Sequence, residues 1–110
     1  MPVSTTIAPE NPVCTLINVF TVTAERQREL VRLLNESTEQ VMKHRDGFVT
    51  ANIHASTDGT KVVNYAQWRD EAAFLAMQAD PAAREHMTRA AEVAESFEPH
   101  LYTVEAVHSR

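Results

Sequence analysis

Two glycines in 110 residues leave this chain without a phosphate-binding loop. There is no GxGxxG and no P-loop, so the close backbone approach to phosphate that nucleotide folds need is excluded. One cysteine, Cys14, rules out an internal disulfide and argues against a cysteine-built metal site. The five histidines, His44, His54, His86, His100 and His108, show no HExxH or other ligand spacing, so no metal is expected. No serine or cysteine sits in a nucleophile-elbow context. No apolar run approaches the roughly 20 residues that span a bilayer. Residues Met1 to Pro12 lack the basic and apolar regions of a secretory signal, so the expectation is a cytoplasmic protein with no membrane partner. With 10 Lys and Arg against 15 Asp and Glu, the net charge is −5 and no basic stripe marks a nucleic-acid partner. Any chemistry here must run on hydrogen-bond donors, an imidazole or phenol, and a dry cavity.

What is present suffices for one domain: 110 residues, 44% hydrophobic, close a single core, at a size where a partner subunit helps. Residues 1–12 hold three of the five prolines and read as a flexible or extended arm; 13–110 form the domain. Val13–Val22 (VCTLINVFTV) is a β-former run. Thr23 is placed to cap a helix over Ala24 to about His44, in which Leu30, Leu34, Ser37 and Val41 recur at helical spacing. Asp46-Gly47 ends it. Phe48–Thr57 and Thr60–Arg69 flank Asp58-Gly59, the strongest short-range hairpin signal. Asp70 caps a short helix to about Ala79, and Asp80-Pro81 opens another to about Ser96. Pro99 reads as a break, and His100–His108 alternates as a last strand.

The order is therefore β-α-β-β-α-β, with the second helix in two pieces. It predicts an α+β, ferredoxin-like split βαβ: an antiparallel sheet with helices on one face. Period two puts Val49, Ala51, Ile53, Ala55, Val62, Asn64, Ala66 and Trp68 on one side of the hairpin. Thr50, Asn52, His54, Val63, Tyr65 and Gln67 take the other. A two-residue turn at Asp58-Gly59 sets Ala55 opposite Val62, Ile53 opposite Asn64 and Val49 opposite Trp68. The first set is the more apolar and should meet the helices. The mixed set is expected to pair with the sheet of a second copy, giving a homodimer in which His54 serves the interface.

Three alanines on the helix-facing side leave space, and Asn64 and Trp68 project polar groups into it. That combination reads as the wall of a pocket for a flat hydrophobic ligand. A strand tryptophan is also an ordinary core residue, and a buried amide can make a structural hydrogen bond. An unpaired amide on an apolar face costs about 1–3 kcal/mol, which weighs toward a site. His86 shares a helical stripe with Ala90, Val93 and Phe97 and reads as partly buried. Cys14 reads as a small core hydrophobe.

The stretch HASTDGTKVVNYAQW, residues 54–68, with the acid-capped helix carrying Phe74, resembles the antibiotic biosynthesis monooxygenase family. It is especially similar to the actinorhodin-pathway type. The resemblance spans about residues 13–108, and NYAQW is its specific part. It implies a dimeric α/β barrel and oxidation of polycyclic phenols or anthrones to quinones with O2, without metal, flavin or haem. It further implies an aromatic polyketide substrate, with Asn64 and Trp68 as the catalytic pair that hydrogen-bonds its carbonyl or developing oxyanion.

Two departures stand out. Phe74 occupies a position where close members of the family carry a tyrosine, and Met87 one where they carry an arginine, with Arg84 about one turn earlier. Either the proton relay uses other groups, such as His86, Arg84 or Tyr65, or the substrate differs; these three join Phe74 and Asn18 as expected substrate contacts. Two rivals share the fold. Haem-degrading members of the superfamily are matched loosely by Asn18 and His86, but Met77 stands where they need a tryptophan. A non-catalytic scaffold holding a pathway intermediate is the other.

Overall fold

The computed structural model describes residues 3–110. Strand β1 (Cys14–Thr21) leads through one 3-10 turn into helix α1 (Gln27–Gln40), and a second such turn precedes β2 (Phe48–Ala55) and β3 (Lys61–Trp68). Helices α2 (Glu71–Ala79) and α3 (Pro81–Val93) follow, and β4 (Ser96–Tyr102) closes the sheet. The strand order is β2-β3-β1-β4 and every neighbouring pair is antiparallel. That is the α+β ferredoxin-like arrangement expected from the element order.

Alternation decides which face the helices cover. Leu16, Phe20, Val62, Ala66 and Trp68 turn to one side and are buried against Leu30 and Leu34 of α1, Phe74 and Met77 of α2, and Ala90 and Val93 of α3. Asp70 and Asp80 cap α2 and α3 as expected, accepting from Ala73 N at 2.8 Å and Ala83 N at 3.0 Å, with Pro81 at the first turn. Thr23 makes no capping bond with its side chain; the chain instead tightens into a 3-10 turn, with Arg26 N donating to Thr23 O. Buried Gln27 ties α1 to the hairpin by donating to the carbonyls of Ser56 and Lys61.

Three details differ from the sequence expectation. The hairpin pairs Ala55 with Val62 and Ile53 with Asn64, as anticipated, but the strands stop short of Asp58-Gly59. Gly59 takes φ +83° and Ser56 pairs with Lys61, so a wider loop keeps the same register. At the far end Phe48, not Val49, stands opposite Trp68, because the register shifts between Phe48 and Thr50. The bulge turns Val49 out, 43% exposed, and brings the Phe48 ring edge-on to the indole at 5.6 Å and 88°. An aromatic pair on the core face buries more apolar area than valine would.

The third difference is β4. It lies at Ser96–Tyr102 rather than His100–His108, and Pro99 is inside it, opposite Asn18. Proline lacks a ladder donor, yet β4 is an edge strand, where one side of the ladder is free. On the outer face, Thr5 Oγ1 donates to Asn52 Oδ1 at 2.9 Å and Gln67 Nε2 donates to Thr6 O at 2.8 Å. The segment before β1 thus crosses the strands β2 and β3 on the side away from the helices.

Candidate active site

Between sheet and helices lies a cavity of about 910 Å³ of empty space, its open mouth included. Its floor is the inner face of the sheet: Leu16, Asn18 and Phe20 from β1, Phe48 and Ala51 from β2, Asn64, Ala66 and Trp68 from β3. The small Ala51 and Ala66, opposite each other in the ladder, leave the space that larger residues would fill. The roof is Leu34, Ser37 and Thr38 of α1, Phe74, Met77 and Gln78 of α2, and His86 and Met87 of α3. Phe97 and Pro99 of β4 stand at the side no helix covers.

The polar atoms of this apolar chamber are the informative ones. Asn18 Oδ1, Asn64 Oδ1 and Trp68 Nε1 are all buried and have no hydrogen-bond partner among the described residues. Asn18 and Asn64 are direct partners across β1 and β3, and Trp68 lies two pleats on from Asn64 along the same face. Each such atom costs about 1–3 kcal/mol when left unpaired, so a fold that keeps three in one cavity is built for a molecule that pairs them. Two acceptors and one donor suit a ligand that offers both a hydroxyl and a carbonyl oxygen.

Of the residues singled out from sequence, Asn64, Trp68, Asn18, Phe74 and His86 meet at this cavity. Tyr65 does not. It neighbours Asn64 in the strand and therefore points to the opposite face of the sheet, where its buried hydroxyl has no partner among the described residues. Arg84 does not line the cavity either; it is exposed on α3, two residues before His86 and about 200° around the helix. Met87 lines the wall with an uncharged thioether. Cys14 is half-buried, its thiol pushed up first by burial and then by the Glu71 and Asp70 carboxylates, which makes it a packing residue. His54 is exposed at the end of β2. No cluster of three or more His, Cys, Asp or Glu with metal-binding proximity occurs among the described residues.

Sequence reasoning missed Ser37, which had been counted only as a step in the α1 stripe. Its Oγ donates to Leu33 O at 2.8 Å and lies 3.1 Å from His86 Nδ1. A serine at a core position of an otherwise leucine-rich stripe was the available signal. Phe97 and Pro99 were missed because the last strand was placed too late in the chain.

The profile described as "Antibiotic biosynthesis monooxygenase" matches residues 14–89. Tetracenomycin-F1 monooxygenase of Streptomyces glaucescens is 53% identical over 81 residues, covering 74% of this chain and 72% of that protein. The ActVA-Orf6 monooxygenase of Streptomyces coelicolor, solved with nanaomycin D, superposes with TM-score 0.80 at 28% identity over 91% of this chain and 94% of that one. SnoaB of Streptomyces nogalater, a cofactor-independent oxygenase solved as an asparagine-to-alanine variant, gives TM-score 0.78 at 24% identity over 87% and 96% of the two chains. This chain belongs to the antibiotic biosynthesis monooxygenase family and is an enzyme of that class. Among the described residues no helix is long and apolar enough to cross a membrane.

Proposed function

We propose that this protein oxidises a polycyclic phenol or anthrone of an aromatic polyketide pathway to a quinone with O2, using no metal, flavin or haem. The carrying observation is the trio of buried, unpartnered atoms (Asn18 Oδ1, Asn64 Oδ1 and Trp68 Nε1) around an otherwise apolar cavity. The relatives named above point the same way: one is a tetracenomycin-F1 monooxygenase, another was solved with nanaomycin D, and a third is described as cofactor-independent.

An anthrone is acidic at the carbon opposite its carbonyl. Once that carbon loses a proton, the enolate is electron-rich enough to pass one electron to O2. The two radicals combine as a peroxide, which loses water and leaves the second carbonyl. One oxygen atom enters the product, the other leaves as water, and the substrate supplies the electrons. The protein has to orient the rings, exclude water and stabilise the oxyanion. In this reading Trp68 donates to the substrate carbonyl oxygen, Asn64 and Asn18 hold its hydroxyl side, and Phe74 packs on the ring face.

The reading includes a homodimer acting in the cytoplasm. Every residue of β4 is exposed, Phe97 by 52% and Tyr102 by 47%, an apolar edge that a second copy would cover. Sedimentation should then give twice the 12.3 kDa of one chain.

Oxygen uptake with dithranol, a hydroxylated anthrone, tests the activity. Stoichiometric O2 consumption with formation of the anthraquinone, undiminished by a metal chelator, is the expected result. Tight binding of dithranol with no acceleration over the buffer rate would refute it.

A further inference from the structure

His86 is the single titratable side chain among the residues that line the cavity. Its Nδ1 lies 3.1 Å from Ser37 Oγ, across from α3 to α1. Ser37 has one hydroxyl proton, and that proton is directed at Leu33 O at 2.8 Å, the back-bonding pattern of helical serines. With that proton on Leu33 O, the serine oxygen meets the imidazole as an acceptor and Nδ1 carries the hydrogen. In a neutral imidazole this leaves the lone pair on Nε2, the opposite side of the ring. Nε2 has no protein partner among the described residues, while the ring forms part of the cavity wall. The other groups able to take a proton lie elsewhere: Tyr65 is on the far face of the sheet, and the Cys14 thiol is held in its neutral form.

We propose that His86 Nε2 is the base that removes the substrate's acidic carbon-bound proton, and that Ser37 is a positioning residue that locks the competent tautomer. The proposal rests on the anthrone-oxidising function given above. In the step, the C–H bond breaks, its electron pair stays on the ring system as the enolate, and the proton ends on Nε2. The imidazolium keeps its Nδ1–H on Ser37 and stands beside the anion it has made. After O2 adds, that proton returns to the outer oxygen of the peroxide. The second C–H proton then leaves with hydroxide as water. The chain Leu33 O, Ser37 Oγ, His86 is thus an orienting device, with the backbone carbonyl in the role of final acceptor.

Proton removal can be separated from oxidation by working without O2. Incubated anaerobically with dithranol in D2O, the wild-type enzyme should exchange the methylene hydrogens faster than buffer alone. His86→Gln and His86→Ala should each lose this exchange and O2 uptake by about 100-fold or more, the usual contribution of a general base. Added imidazole should restore part of the rate to His86→Ala, which a purely structural role for the ring would not permit. Ser37→Ala should lower kcat several-fold with KM unchanged, because the freed ring then partitions into the wrong tautomer. Quenching of Trp68, the only tryptophan, by 1,8-dihydroxyanthraquinone verifies that each variant folds and binds. Variants that bind the quinone and still exchange at the wild-type rate would overturn the role of His86 while leaving the oxygenase function intact. A wild type with neither exchange nor O2 uptake would instead remove the function on which the role rests.

Discussion

Asn18 and Asn64 face each other across β1 and β3 with both side-chain oxygens buried and unpartnered, a pairing that stability alone would not select. Replacing either by leucine, close in volume and free of polar atoms, should hold or raise the melting temperature. Asn64→Leu should at the same time cut the rate of anthrone oxidation about tenfold or more, because it removes the acceptor that fixes the substrate hydroxyl and so the orientation of the rings. Thermal melts beside an oxygen electrode check both halves. Full activity in the leucine variant would remove Asn64 from the site. In the double variant the stability gains should not add, since the two amides are direct neighbours.

Trp68 has two parts that substitution can separate. Its ring packs against the Phe48 edge, and its Nε1–H has no partner among the described residues. Trp68→Phe keeps the aromatic contact and deletes the donor. The expected result is a folded protein, destabilised by about 1–2 kcal/mol from the space left at a site 2% exposed, with kcat at least tenfold down. Denaturant titration and steady-state kinetics test it, and an unchanged kcat would show that the indole N–H takes no part.

Gly47 sets where the cavity's Phe48 lands. It has φ +86°, and a Cβ there would collide with the Cβ of Ala73 at the start of α2. Its carbonyl also accepts from Arg69 N. Gly47→Ala should therefore destabilise by at least about 1 kcal/mol, from backbone strain and the clash together. It should also disturb ligand binding through Phe48, readable as a weaker quench of Trp68. A neutral substitution would mean that the approach of β2 to α2 is not tight.

Asp58 organises the hairpin loop. It accepts from Thr60 Oγ1 at 2.7 Å, Thr60 N at 3.0 Å and Ser56 Oγ at 2.8 Å, and these bonds lower its carboxyl pKa to about 2. The folded pKa lies below the unfolded value of about 3.9, so the stabilisation is complete above the latter. It is lost as pH falls from about 4 toward 2. The melting-temperature difference between wild type and Asp58→Ala should stay constant from pH 5 to 8, then shrink toward pH 2. A difference that persists at pH 2 would assign the effect to the backbone of the turn.

The element order was legible because each junction carries its own local chemistry. Asp70 and Asp80 announce their helices, and the Asp58-Gly59 pair announces its hairpin. The errors fall where a longer-range contact outweighed a local rule. Pro99 reads as a break unless one knows that its strand will lie at a sheet edge. Val49 reads as core until the bulge lets Phe48 reach Trp68. Arg84 and Tyr65 have the chemistry for a site, but a residue's direction depends on the face its element buries. Arg84 and His86 are only two positions apart and part company on the helix.

By itself, the sequence determined the alternation that puts Asn64, Ala66 and Trp68 on one side of β3, because side-chain direction along a strand repeats every two residues. It likewise determined that no phosphate loop and no internal disulfide can exist. Only the tertiary structure decided that Asn18 would stand against Asn64 and that Ser37 would meet His86. Those pairs bridge elements 46 and 49 residues apart, and nothing in local backbone preference encodes a contact over that distance. The cavity between them exists because sheet and helices close around residues too small to fill it.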